Sequence, residues 1–270
     1  MFNKENHTMP SRFKRRKRTF WIIIILIVLA IWGIHRYGSL DSRLKSAWNK
    51  VIYTSNDNVA IAVYSPRTHR IYSATNAPGH RFHTASTVKV AILAGLLAKQ
   101  SNGLSDHQYS LAKAMIEQSD NDATTALFED LGGQSGLQNT FDRFGMSSST
   151  ARKNWGLSIT TPRDQIKLLN NIFYRSKLLS RQDQNTIGSL MSAVEADQSW
   201  GISADSNRFA IKNGWLNYGK AKWIVNSIGY VKNNNGTDYT IAVYTDDNST
   251  MQTGQQTIEQ LARVTKSLME

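Results

Sequence analysis

Apolar residues recur along this chain with two periods. Between residues 40 and 53, Leu44, Trp48 and Val51 fall three to four positions apart, which predicts an amphipathic helix. Val59 to Tyr64 (VAIAVY) and Arg70 to Ser73 read instead as two strands of a hairpin, turned by Ser65 to Thr68. The helical period returns from Thr84 to Lys99, where Val88, Ala91, Ile92 and Leu96 form a stripe. Gly95 lies on the same face and leaves room for another element to pack close. Leu111 to Glu117 and Asp122 to Glu129 are short helices on either side of Ser119, and Gly132-Gly133 breaks the chain before a helix at Leu137 to Phe144. Thr161-Pro162 opens a helix that runs from Arg163 to Tyr174, because proline suits the first helical turn. Ser180 to Ala193 is the next helix. Phe209 to Leu216, Trp223 to Lys232 and Thr237 to Thr245 are strand-like, and Thr257 to Leu268 closes with an amphipathic helix.

The order is helix, two strands, a helical block, three strands, helix. Strands from the two ends must pair with one another to bury their faces. This predicts an α/β protein of the segregated α+β kind: a five-stranded antiparallel sheet, packed by the terminal helices on one face, with an all-helical lobe inserted between strands two and three.

The first 40 residues differ from the rest. Phe20 to Ile34 is an apolar run without charge, preceded by Lys14, Arg15, Arg16, Lys17 and Arg18. By the positive-inside rule this predicts a basic cytoplasmic tail (1–19), a membrane anchor (20–36) and an extracytoplasmic domain (40–270) at the cell membrane. The run is short for a span, but Trp21, Trp32, Tyr37, Arg18 and Arg36 can sit at the interfaces and lengthen it. A cleaved signal peptide is the rival reading; no Ala-x-Ala precedes a plausible cut. The net charge of +12 divides evenly. Residues 1–19 hold seven Lys or Arg against one acid, and the remainder 25 against 19. Half the excess therefore follows from topology, and the scattered cations of the other half do not form the basic face a nucleic acid needs. The absence of cysteine excludes a disulfide framework, a thiolate zinc site and a cysteine nucleophile. No metal or cofactor is expected, and the domain is expected to act as a monomer.

Three short segments carry the candidate chemistry: Ser86-Thr87-Val88-Lys89, Ser119-Asp120-Asn121 and Lys212-Asn213-Gly214. Ser86 opens a predicted helix, so its backbone N–H is unsatisfied by the helix and can face an oxyanion. Lys89 lies one turn on along the same face and can take the serine proton if burial and positive neighbours lower its pKa. Alone the first segment is weak, since Ser11, Ser42 and Ser110 begin the same Ser-x-x-Lys pattern. Conjunction makes it specific: three segments in order, 33 and then 93 residues apart.

Together these segments resemble the active-site signature of the penicillin-recognising serine enzymes, in particular the class A β-lactamases. Leu131-Gly132-Gly133 and Thr160-Thr161-Pro162 add to the likeness. The resemblance implies a β-lactamase/D,D-peptidase-like fold and an acyl-enzyme on Ser86, with Lys89 as base and Ser119 relaying a proton to the leaving nitrogen. It places Asn121, Lys212, Asn213, Gly214 and Trp215 against the substrate, and the backbone N–H groups of Ser86 and Trp215 in an oxyanion hole. Asp120 would be structural, and Asn213 stands where the family has threonine, with its amide as a replacement donor for a substrate carboxylate. The implied substrates are β-lactams, small D-alanyl compounds or cell-wall peptides. One family feature is missing: no acid lies between Asp142 and Asp164, where class A enzymes carry the Glu that activates the hydrolytic water. Glu195 and Asp197 are not assigned to that role, and His83 reads as structural. Slow deacylation is therefore expected. The alternatives are a D,D-carboxypeptidase or esterase of cell-wall polymers and a non-catalytic cell-wall binding module.

Overall fold

The computed structural model describes the backbone of residues 11–270 apart from 101, 220 and 221, and their side chains apart from those of 11–18 and 30–39. Residues 1–10 of the expected tail lie outside the described residues, as do the side chains of 11–18 and of residues 30–36 in the expected span. The chain divides into Met1–Arg43 and Leu44–Glu270. Helix α1 (Ser11–Ile52) takes in the apolar run and the amphipathic segment after it as one element; single glycines at 33 and 38 do not stop a helix. Among the described residues, no helix is long and apolar enough to cross a membrane.

In the second unit the elements follow as β1 (Asn58–Ser65), β2 (Arg70–Thr75), β3 (Phe82–His83), α2 (Val88–Lys99), α3 (Asp106–Glu117), α4 (Asn121–Leu131), α5 (Gly133–Arg143), β4 (Ile159–Thr160), α6 (Pro162–Phe173), α7 (Arg181–Ser192), β5 (Phe209–Asn217), β6 (Trp223–Lys232), β7 (Asp238–Asn248) and α8 (Met251–Met269). Three turns of 3₁₀ helix lie at 85–87, 155–157 and 196–198. β2-β1-β7-β6-β5 form one antiparallel sheet, in which the first hairpin meets the C-terminal meander through β1 and β7. α2 to α7 and the small β3–β4 ribbon lie between β2 and β5, so the inserted lobe is helical with one ribbon added.

Strand alternation splits the sheet into two faces. Ala60, Ala62, Ala210, Ile228, Ala242 and Tyr244 join the core of the helical lobe. Their neighbours Val59, Ile61, Val63, Val225, Ile241 and Val243 are buried on the other face, where α8 packs on β6 and β7. The end of α1 belongs to that layer: Leu44, Trp48 and Ile52 are fully buried, and Trp48 Nε1 donates to Thr265 Oγ1 on α8 at 2.8 Å. The buried row is thus i, i+4, i+8, with Ile52 in place of the expected Val51. In the lobe, a Cβ on Gly95 would lie 2.2 Å from Thr140 Oγ1. That glycine is what brings α2 against α5.

Candidate active site

The site forms where α2 begins against the edge strand β5. The β3–β4 ribbon leads the chain into the turn, and Thr84 N donates to Ser158 O at 2.8 Å. Ser86 sits in the 3₁₀ turn Ala85–Thr87, directly before α2. Ala85 holds a φ of +45°, a left-handed conformation unusual for a residue with a side chain, and Ser119 holds +58°. Such conformations persist only where surrounding structure enforces them, and they concentrate at functional sites.

The surroundings that enforce the turn are visible. Thr87 Oγ1 bonds Thr84 O at 2.7 Å and Tyr244 Oη at 2.6 Å. Asn226, fully buried on β6, donates its amide to His83 O at 2.9 Å and Thr84 O at 3.2 Å. Gly214 on β5 lies against the turn itself: a Cβ there would stand 2.7 Å from Ser86 N and 2.8 Å from Thr87 N. Only glycine admits that approach. Ser86 is half-buried.

Lys89 is completely buried at the start of α2. Its Nζ lies 2.7 Å from Ser119 O, 3.0 Å from Ser119 Oγ and 2.9 Å from Asn121 Oδ1. Burial lowers its pKa from 10.5 to about 7, while the nearby Asp120 opposes the shift. The amine is therefore close to half-neutral at neutral pH. In the neutral form it can give its two hydrogens to Ser119 O and Asn121 Oδ1, which only accept. Its lone pair then faces Ser119 Oγ, which can donate. Asp120 caps α4, accepting from Ala123 N at 2.7 Å. The ring of Trp155 covers the same amine, with Nζ 5.1 Å from the ring centroid.

Lys212 is also fully buried, and its Nζ has no hydrogen-bond partner among the described residues. Its pKa falls to about 7, first through burial and then through the positive charge of Lys89. Asn213 corrects an expectation. Its amide donates to Gln198 O at 2.7 Å and Trp200 O at 2.9 Å, so both hydrogens are committed to the loop before β5. The strand period sends Asn213 to the face opposite Lys212 and Gly214, so it does not replace the missing threonine hydroxyl at the cleft. Trp215 is half-buried with its ring 5.9 Å from that of Trp200. His83 Nδ1 is bonded to Leu157 O at 3.0 Å and its ring leans on Tyr218, which agrees with a structural histidine.

The structure thus brings Lys89, Ser119 and Asn121 into direct contact and lays Gly214 on the backbone of Ser86, while it turns the Asn213 side chain away. Three residues that hold the site were not foreseen: Asn226, Tyr244 and Trp155. For Asn226 a signal existed, a polar residue inside the apolar run WIVNSIGYV.

Solved structures share this architecture. The TLA-3 extended-spectrum β-lactamase superposes with a TM-score of 0.73 at 18% identity, over 83% of this chain and 97% of its own. A class A β-lactamase from Bacteroides cellulosilyticus gives 0.72 at 17%, over 85% and 98%. A mutant of PBP-A, in its acyl-enzyme complex with penicillin G, gives 0.70 at 20%, over 84% and 96%. No curated protein sequence matches the chain. The sequence pattern of the β-lactamase enzyme family does match, over residues 107–268, which take in Ser119, Lys212 and the whole C-terminal meander. That is more than half of the chain, on a β-lactamase fold: the chain belongs to the β-lactamase enzyme family.

Proposed function

We propose that the chain is an active-site serine hydrolase that forms an acyl-enzyme on Ser86 with β-lactams or D-alanyl cell-wall substrates. Ser86 Oγ attacks the substrate carbonyl carbon while neutral Lys89 receives the hydroxyl proton, and Ser119 delivers a proton to the departing nitrogen. The tetrahedral oxyanion is met by the N–H groups of Ser86 and Trp215. Such donors are worth about 3–4 kcal/mol of barrier each in acyl transfer. Protonated Lys212 answers the substrate carboxylate, and Asn121 the substrate amide. The observation that carries this reading is Lys89: a buried amine with a pKa of about 7, in contact with Ser119 and Asn121 one turn from Ser86.

Deacylation is slow in this account. Every hydrogen-bond partner of Lys89 Nζ among the described residues belongs to Ser119 or Asn121, and the nearby Asp120 carboxylate is engaged as the cap of α4. The test compares β-lactam hydrolysis and D-alanine release by the full chain with those of Ser86→Ala. The reading requires at least one substrate to be consumed by the wild type and neither by the variant; equal rates for both proteins would refute it.

Residues 20–36 are proposed to hold the enzyme at the cell membrane with the domain outside. Support comes from the basic flank and from Phe20 to Leu29, of which all the large apolar side chains but Ile24 are exposed. Recovery of the full chain in the soluble fraction, with the N-terminus intact, would contradict it.

A further inference from the structure

We infer that Trp155 is the residue that keeps water from the acyl-enzyme, so that the lifetime of the Ser86 ester is set by an indole ring laid over Lys89. This rests on the serine mechanism proposed above and deepens it.

Hydrolysis of the ester requires a water oxygen to bond to the acyl carbon while a base accepts one of its protons. The bond from carbon to Ser86 Oγ then breaks, and Oγ recovers a proton. Lys89 is the buried base at hand. Its two hydrogens go to Ser119 O and Asn121 Oδ1, and its lone pair takes up a proton when the Ser119 hydroxyl turns aside, as it must do for Ser86 in acylation. Its remaining flank is covered by the Trp155 ring, 5.1 Å from Nζ to the centroid. In the acyl-enzyme the Ser86 hydroxyl is gone, and the ring covers the amine against the water that would take its place.

The ring is tied down on two sides. Trp155 Nε1 donates to Thr125 Oγ1 on α4 at 3.3 Å. The backbone of its 3₁₀ turn is lashed to the nucleophile turn by Thr84 N to Ser158 O at 2.8 Å and by the contact of His83 Nδ1 with Leu157 O at 3.0 Å. Thr84 Oγ1 also reaches the carbonyls of Trp155 and Gly156 at 3.5 Å. The segment 143–163, which has no acid, therefore offers Lys89 a hydrophobic cover where a water activator would have to stand.

The experiment acylates the full chain with benzylpenicillin, removes free drug and follows loss of the covalent adduct by intact-protein mass from pH 5 to 9. Wild type, Trp155→Phe, Trp155→Ala and Thr125→Val are compared. Trp155→Ala is expected to acylate and then to lose its adduct about tenfold faster or more, as an opened site gains base catalysis. Its deacylation rate should climb with pH through about 7, as Lys89 becomes neutral. Trp155→Phe should stay slow, and Thr125→Val, which frees the ring without removing it, should fall between. An adduct lifetime unchanged in Trp155→Ala overturns the inference. So does an acceleration without pH dependence, or a variant that folds and no longer acylates, since the ring then serves only to place Lys89. If Trp155→Ala does not fold, an unaltered lifetime in Thr125→Val decides against it. No adduct on the wild type with the drug consumed overturns the inference, since the ester is then short-lived; no adduct with the drug intact and no D-alanine released removes the serine mechanism itself, and the inference with it.

Discussion

Gly214 shows how tightly single residues constrain this site. A methyl group there would press on two backbone nitrogens, Ser86 N at 2.7 Å and Thr87 N at 2.8 Å, and neither can rotate away. Gly214→Ala is expected to fold with its spectrum unchanged and to acylate about 100-fold more slowly, because a displacement of about 1 Å at the reacting centre costs that much. Stopped-flow acylation with a chromogenic cephalosporin measures it. The two lysines give acylation its pH dependence. Lys89 works as a base when neutral, so rates rise as pH climbs through about 7. Lys212 holds a carboxylate when protonated, so binding weakens above about 7. A bell-shaped kcat/KM profile centred near 7 follows, and its two limbs belong to the coupled pair rather than to either lysine alone. At this scale Ser86 lies in a 3₁₀ turn directly before α2 and Lys89 inside that helix, where the sequence predicts one continuous helix. Asn213 departs from the expectation because its amide is spent on Gln198 O and Trp200 O, partners 15 and 13 positions back that the strand pattern does not announce.

Among the elements, β6 has the least obvious task. Its Asn226 stitches the nucleophile turn to the sheet through two backbone carbonyls, and its Oδ1 accepts from Thr245 N at 3.3 Å. Asn226→Ala removes the amide from His83 O and one of several donors from Thr84 O. It is expected to cost about 1–3 kcal/mol of stability and to depress acylation together with it, as read by chemical denaturation and the same stopped-flow assay. Sequence could not assign this role, since the partners lie more than 140 positions away in the chain. The two-residue strands β3 and β4 were also out of reach, too short for any alternation to register. α3 begins earlier than its apolar residues indicate because Ser105 and Gln108 form a capping box at its start. Among longer elements with a regular period, β6 was read with its bounds as found, and β1, α2 and α8 with only their ends displaced.

For the molecule as a whole, the order of elements was enough to infer the five-stranded sheet and the inserted lobe, because strands from both chain ends have no other partners. What the order could not convey is the burden of two buried amines at its centre. Between pH 7 and 10.5 the unfolded chain holds protons on Lys89 and Lys212 that the folded chain has released. Their contribution to stability therefore rises with pH across that window, and below about 7 the full cost of burying the charges is present. Lys212→Met is expected to raise stability at pH 7 by about 1–2 kcal/mol, a gain of several degrees in Tm that shrinks as pH approaches 10, while acylation falls. A fold that is destabilised by the lysine it retains is consistent with a lysine kept for chemistry.

The most direct test of the account is the intact mass of the full-length chain after brief exposure to benzylpenicillin, with Ser86→Ala alongside. Acylation by a β-lactam opens the ring and expels no fragment. The account therefore predicts a gain equal to the whole drug, located on the peptide that contains Ser86, persisting after free drug is removed and absent from the variant. An unchanged mass with the drug intact and no D-alanine released from cell-wall peptide, or an equal gain on Ser86→Ala, would contradict it.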